Sequence, residues 1–142
     1  MTRKPLTTDD YPIAEQRPEL VTGARGRNLE ELTLDAVMSG EVEMEDLRIT
    51  PEALLMQGEI ARAAGREALA RNFERAAEMT RLPQALIMEV YENLRPGRAE
   101  NKDRLLAIAG RLREEHAAKR LAAFVEEAAE VYERRRLFSA RY

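Results

Sequence analysis

The chain has 142 residues, no cysteine, and a net charge of −3 from 23 basic and 26 acidic side chains. That length fits a single modest domain, and the absence of cysteine excludes a disulfide framework and a thiolate metal site. Hydrophobic residues make up 44%, but 22 of them are alanine, and Leu, Ile, Val and Phe together number only 31, so the core is thin.

Taken in chain order, Pro5, Pro12, Pro18, Gly23 and Gly26 punctuate residues 1–30 too densely for regular structure. This region is predicted to be an extended arm lying on a partner, with Tyr11, Ile13 and Leu20 as its apolar contacts. Residues 31–142 are predicted to form one helical domain. Asn28 with Glu31 makes a capping box, and Thr33 is an alternative cap, for a short helix ending at Ser39–Gly40. Thr50, Pro51 and Glu52 open a longer helix that runs to Ala64, with Gly65 as its left-handed terminator.

That helix shows Leu54, Leu55 and Met56 in succession. At about 100° per residue, its small and apolar positions cover roughly 220° of the circumference, more than one neighbouring layer covers. It is therefore expected to be sandwiched between Leu69 and Phe73 of the next helix and a partner. Leu55, with Arg48 nearby, falls on the partner side or its rim.

Further helices are predicted at about Arg66 to Thr80 (Leu69, Phe73, Ala76 and Thr80 on one face) and from Pro83 (Leu86, Ile87, Val90, Tyr91, Leu94). Two more follow: one capped by Asn101 (Leu105, Ile108, Ala109, Leu112) and one at about Ala117 to Arg136 (Leu121, Phe124, Val125, Ala128, Tyr132). RPGRAEN at 95–101 reads as a loop. No segment alternates as a strand does. The fold class is all-α, a compact bundle of about five helices with an extended N-terminal arm. The basic, aromatic end ERRRLFSARY suits the negative end of a helix dipole.

The chemical inventory is short. One histidine, His116, excludes the usual three-histidine zinc set and a di-metal carboxylate bundle, and it reads as a packed or edge residue rather than a general base. No phosphate-binding glycine loop or nucleophile elbow is present. No residue is predicted to be catalytic, cofactor-binding or metal-binding. Gly65 between two helices raises a helix-turn-helix, but Glu67, Glu74 and Glu78 alternate with Arg66, Arg71 and Arg75. That alternation, with acids and bases intermixed along the chain, argues against phosphate reading. MTRKPLTTDD has no signal-like apolar stretch, and no apolar run is long enough to span a membrane.

Six blocks occur in order: DYPIAEQRPEL (10–20), LTLDAVMSGEV (32–42), DLRITPEALLMQGEIA (46–61), ALARNFERAAEMT (68–80), IMEVYENLRP (87–96) and AAFVEEAAEVYERR (122–135). In these blocks the chain resembles the small (gamma) subunits of adenosylcobalamin-dependent diol and glycerol dehydratases, over nearly everything from Asp10 to about Leu137. Gly97 departs from the pattern, standing where an aromatic is expected after the Arg-Pro pair.

The resemblance implies a helical, non-catalytic subunit of an enzyme that converts propane-1,2-diol or glycerol to the aldehyde and water by a radical rearrangement. It implies large (alpha) and medium (beta) partner subunits, usually as a dimer of alpha-beta-gamma trimers. Adenosylcobalamin would lie between the two larger subunits, with a metal ion in the large one, and this chain alone would bind no cofactor. The large subunit then becomes the expected partner of the arm and of Leu55. A cytoplasmic location is expected; the chain begins almost at the DYP block, without the packaging extension that some relatives carry for microcompartments. The rival readings are a free-standing helical adaptor or regulator and, more weakly, a DNA binder.

Overall fold

The structure, a computed structural model, describes residues 3–140; Met1 and Thr2 of the arm, and Arg141 and Tyr142 of the basic end, lie outside the described residues. The chain is all-α. Among the described residues the helices are α1 (Ile13–Gln16), α2 (Leu34–Met38), α3 (Pro51–Ala63), α4 (Glu67–Met79), α5 (Gln84–Leu94), α6 (Lys102–Glu114) and α7 (Lys119–Arg135). No strand forms among them; Thr22 and Asn28 make one isolated bridge.

The starts of α2, α3 and α6 are fixed by side-chain caps. Thr50 Oγ1 accepts from Ala53 N–H at 3.2 Å, and Asn101 Oδ1 accepts from Arg104 N–H at 3.0 Å. Both proposed caps near residue 30 are used. Asn28 and Glu31 form a reciprocal box around a 3-10 turn at Leu29–Glu31, and Thr33 caps α2. Gly65 follows α3 at φ +75°, the conformation that favours glycine.

The contacts divide between Thr80 and Arg81 into two units. Within the first of them the arm has a surface to lie on in its own chain. Leu6 and Ile13 are buried with Met56 and Ile60 of α3, and Leu20 and Val21 pack at the edge of this cluster. Leu6 N–H donates to Glu59 Oε2 at 2.8 Å, and Arg3 pairs with the same carboxylate at 2.9 Å. Prolines stop the arm from forming a ladder, and short 3-10 turns at Thr8–Asp10 and Pro18–Leu20 flank α1, which carries the buried Ile13. The predicted helical region from residue 31 accordingly lies on both sides of the division.

In this first unit α3 packs on α4 through small residues. A Cβ built on Gly58 would stand 3.4 Å from the Ala70 carbonyl oxygen and 3.5 Å from Phe73 Cβ. On α4 the buried residues are Ala70 and Ala77, not the predicted stripe of Leu69, Phe73, Ala76 and Thr80. Close backbone approach moves the large side chains to the flanks of the contact, where Phe73 is half-buried and Leu69 stays 38% exposed.

The second unit is built from α5, α6 and α7. Leu105, Ile108, Ala109 and Leu112 of α6 are all essentially inaccessible, as their spacing predicts. They meet Leu86 and Val90 of α5 and Leu121, Ala122, Val125 and Ala129 of α7. The seam on α7 is thus rotated from the predicted one: Phe124 is 39% exposed, and Ala122 and Ala129 take the inner places. After α7, Arg136 turns left-handed, and the tail runs back along the 97–100 loop. There Gly97 N–H donates to the Leu137 carbonyl at 2.7 Å and Ser139 N–H to that of Ala99 at 2.9 Å. Gly97 has φ +77°, a geometry an aromatic residue would strain, so the glycine fits the turn found here.

Candidate partner interface

The five residues predicted to meet a partner separate into three groups. Ile13 is 6% exposed and belongs to the core of its own unit, and Leu20 is half-buried beside it. Tyr11, two residues before Ile13, is 61% exposed. Arg48 and Leu55 both reach the surface, Leu55 at 41% exposure, while Leu54 and Met56 on either side of it are buried. The wide apolar face of α3 is therefore covered on two sides by α4 and by the chain's own arm. Tyr11, Arg48 and Leu55 remain available.

Tyr11 rims an open groove of about 400 Å³ whose walls are Ile60, Ala61, Ala64, Leu69 and Phe73. It sits beside an ordered electrostatic knot. Asp10 accepts from Thr7 N–H at 2.8 Å and pairs with Arg17 at 3.0 Å. The Thr7 backbone hydrogen bond, and then Arg17, hold the Asp10 carboxyl below the ordinary carboxylate range.

A second knot anchors the segment that carries Arg48. The Asp46 side chain is fully buried, and its Oδ2 accepts from Glu43 N–H at 2.9 Å. Arg25 and Arg27 approach the same oxygen at 3.3 and 3.8 Å. The Asp46 backbone lies so close to Gly23 that an added Cβ would stand 2.8 Å from the Asp46 carbonyl oxygen. The chain around residues 43–48 is thus fixed to the loop at residues 23–27.

Sequence reasoning passed over the residues that this anchoring presents. Leu34, Val37, Met38, Met44, Leu47 and Ile49 are all exposed, several above 70%. The signal was available in the Leu34, Val37, Met38 spacing, which puts three apolar side chains on one face of a very short helix.

The remaining chemistry is sparse. His116 is half-buried in the turn between α6 and α7 and lines neither the groove beside Tyr11 nor a depression lined by Lys102, Glu133 and Phe138. Among the described residues, no three His, Cys, Asp or Glu side chains gather as a cation site. The arginines of the suspected recognition helix lie among its carboxylates: Arg71 pairs with Glu67 at 3.2 Å, and Arg62 of α3 bridges Glu67 and Glu74 at 3.0 and 2.9 Å.

A family model for the dehydratase small subunit matches residues 6–139. The chain belongs to the dehydratase small-subunit family. Two relatives cover almost all of it. The propanediol dehydratase small subunit of Citrobacter freundii is 51% identical over 129 residues, which is 90% of this chain and 74% of that protein. The one from Salmonella typhimurium is 48% identical over 137 residues, 96% of this chain and 79% of its own length. Tyr11, Arg48, Leu55 and the apolar Leu34, Val37, Met38, Met44, Leu47 and Ile49 are the exposed residues described above. Among the described residues no helix is long and apolar enough to cross a membrane.

Proposed function

We propose that this chain is the non-catalytic small subunit of an adenosylcobalamin-dependent diol dehydratase, which converts propane-1,2-diol or glycerol to the corresponding aldehyde and water in the cytoplasm. Its partners are the large and medium subunits, arranged as a dimer of three-subunit units. The observation that carries this reading is the near 50% identity to two propanediol dehydratase small subunits along 90% or more of the chain.

The residues of this chain do not fit the cofactor. His116, the chain's one imidazole, lines neither the groove of about 400 Å³ beside Tyr11 nor the depression beside Phe138. No step of the reaction is therefore assigned to a side chain of this subunit; its contribution is to present helical surfaces on which the catalytic subunits are held.

The test is co-expression with the large and medium subunits of a diol dehydratase. The three chains are expected to co-purify and to dehydrate propane-1,2-diol when adenosylcobalamin is supplied, whereas the chain alone neither turns over diol nor takes up cobalamin in a spectroscopic titration. Stoichiometric cobalamin uptake by the isolated chain would overturn the non-catalytic assignment. A chain that never associates with the larger subunits would instead point to a free-standing adaptor.

A further inference from the structure

We propose that the exposed apolar face of α2 and of the turn that follows it is the surface by which this chain docks onto a larger dehydratase subunit, in an apolar recess rimmed by lysine or arginine. The inference rests on the reading of the chain as a subunit of that enzyme.

The segment is ordered but buries almost nothing of its own. None of the α2 side chains is buried, and Leu34 and Met38 are 75% and 79% exposed. At Gly40 (φ +79°) the chain reverses, and Val42 N–H donates back to the Ala36 carbonyl at 3.0 Å, which brings the following turn alongside α2. That turn, Met44–Leu47, is held from beneath by the buried Asp46 carboxylate and its two arginines. Met44 and Leu47, 73% and 57% exposed, are three residues apart in a 3-10 turn and so share a side. Ile49, 61% exposed, continues the strip. A monomer does not ordinarily hold six large apolar side chains outward within sixteen residues on a fixed backbone; such an arrangement marks an interface.

Charge says what covers it. Residues 29–49 carry seven carboxylates against one arginine, a local net of −6 in a chain whose total is −3. Arg25 and Arg27 offset Glu43, Asp46 and Glu31. Glu30, Asp35, Glu41 and Glu45 are exposed, and no cation of the described residues pairs with them. A second copy would set these four carboxylates against the same four, so a face-to-face homodimer is repelled, as are nucleic acid and an anionic membrane. A protein surface with an apolar centre and a basic rim is the complementary occupant, and an obligate partner subunit supplies one.

The experiment uses the co-expressed three-subunit enzyme with a tag on a larger subunit. Retention of the small subunit is measured for wild type, Leu34→Glu/Met38→Glu, Met38→Leu and Glu41→Lys/Glu45→Lys. The double glutamate variant is expected to lose at least tenfold in retention with helicity unchanged, since both positions face solvent in the free chain. Met38→Leu should be retained. Wild-type retention should fall as salt rises, and the charge-reversed variant should bind more weakly and lose that salt dependence. Equal retention of wild type and the double glutamate variant would overturn the docking surface while leaving the subunit reading intact. Failure of the wild-type chain to associate would overturn both. A wild-type chain that is dimeric alone, and monomeric as the double variant, would make a second copy the occupant and refute the proposal.

Discussion

Gly58 lies in the middle of α3, where glycine ordinarily weakens a helix by about 1 kcal/mol relative to alanine. It faces Ala70 and Phe73 of α4 at distances that leave a Cβ in ordinary contact, 3.4 and 3.5 Å. Gly58→Ala should therefore be neutral or raise the thermal midpoint, whereas Gly58→Leu should cost about 1–3 kcal/mol by forcing α3 and α4 apart. Thermal unfolding of both variants checks this; a strongly destabilised Gly58→Ala would mean that the helices approach more closely than described. At the other residue of interest, His116→Gln should leave turnover of the assembled enzyme within a few-fold of wild type. The half-buried ring occupies a turn between helices and lines neither the groove beside Tyr11 nor the depression beside Phe138. Loss of several orders of magnitude with assembly intact would make it a functional group.

At the scale of elements, the arm depends on a few polar fixings as well as on Leu6 and Ile13. Asp10 ties the Thr7 backbone to Arg17, and those partners lower its pKa. A carboxyl that is more acidic in the folded state contributes stability above its unfolded pKa and loses it as pH falls through the lowered folded value. The arm should thus be held above about pH 4 and loosen below it. Asp10→Asn should loosen it at neutral pH and weaken that dependence, leaving in place the contacts of Glu59 with Leu6 N–H and Arg3. Amide chemical shifts of residues 7–20, followed from pH 6 to pH 3, measure it; shifts that stay constant in the wild type to pH 3 would assign the arm's order to apolar contacts alone. In the helices, ion pairs link neighbours on the surface: Glu89 of α5 takes Arg104 and Arg111 of α6, both at 2.9 Å. Exposed pairs of this kind are worth ~1 kcal/mol or less, so the apolar residues of α6 dominate the second unit.

For the molecule as a subunit, the decisive quantity is which apolar surface is left over once the chain has folded. Leu55 is such a residue, between two buried neighbours and 41% exposed. Leu55→Asp should weaken association with the larger subunits by about 2 kcal/mol or more, through lost burial and a desolvated charge, while the chain's own helicity is unchanged. Unchanged co-purification would place Leu55 in solvent in the complex as well. Tyr11 and Arg48 are the other predicted contacts that remain exposed, whereas Ile13 would unfold the arm if replaced by a charge and so reports on folding rather than assembly.

Much of the helical layout was legible in the sequence because helix ends are local events. Thr50, Asn101, Thr33 and the Asn28–Glu31 box each satisfy a backbone donor three residues away, and Gly65 ends α3 by its own backbone freedom. The ordered blocks also identified the family without any coordinates. Which side chains are buried was not local. Whether Ile13 meets its own α3 or another subunit depends on Met56 and Ile60, more than forty positions away. The inner face of α4 turned out to be Ala70 and Ala77, and on α7 Ala122 and Ala129 joined the expected Leu121 and Val125 in place of Phe124, rather than the larger residues that a helical wheel favours. Periodicity ranks side chains by their apolar area, but two helix backbones that approach closely leave room only for small ones, and only the packed structure fixes how closely they approach.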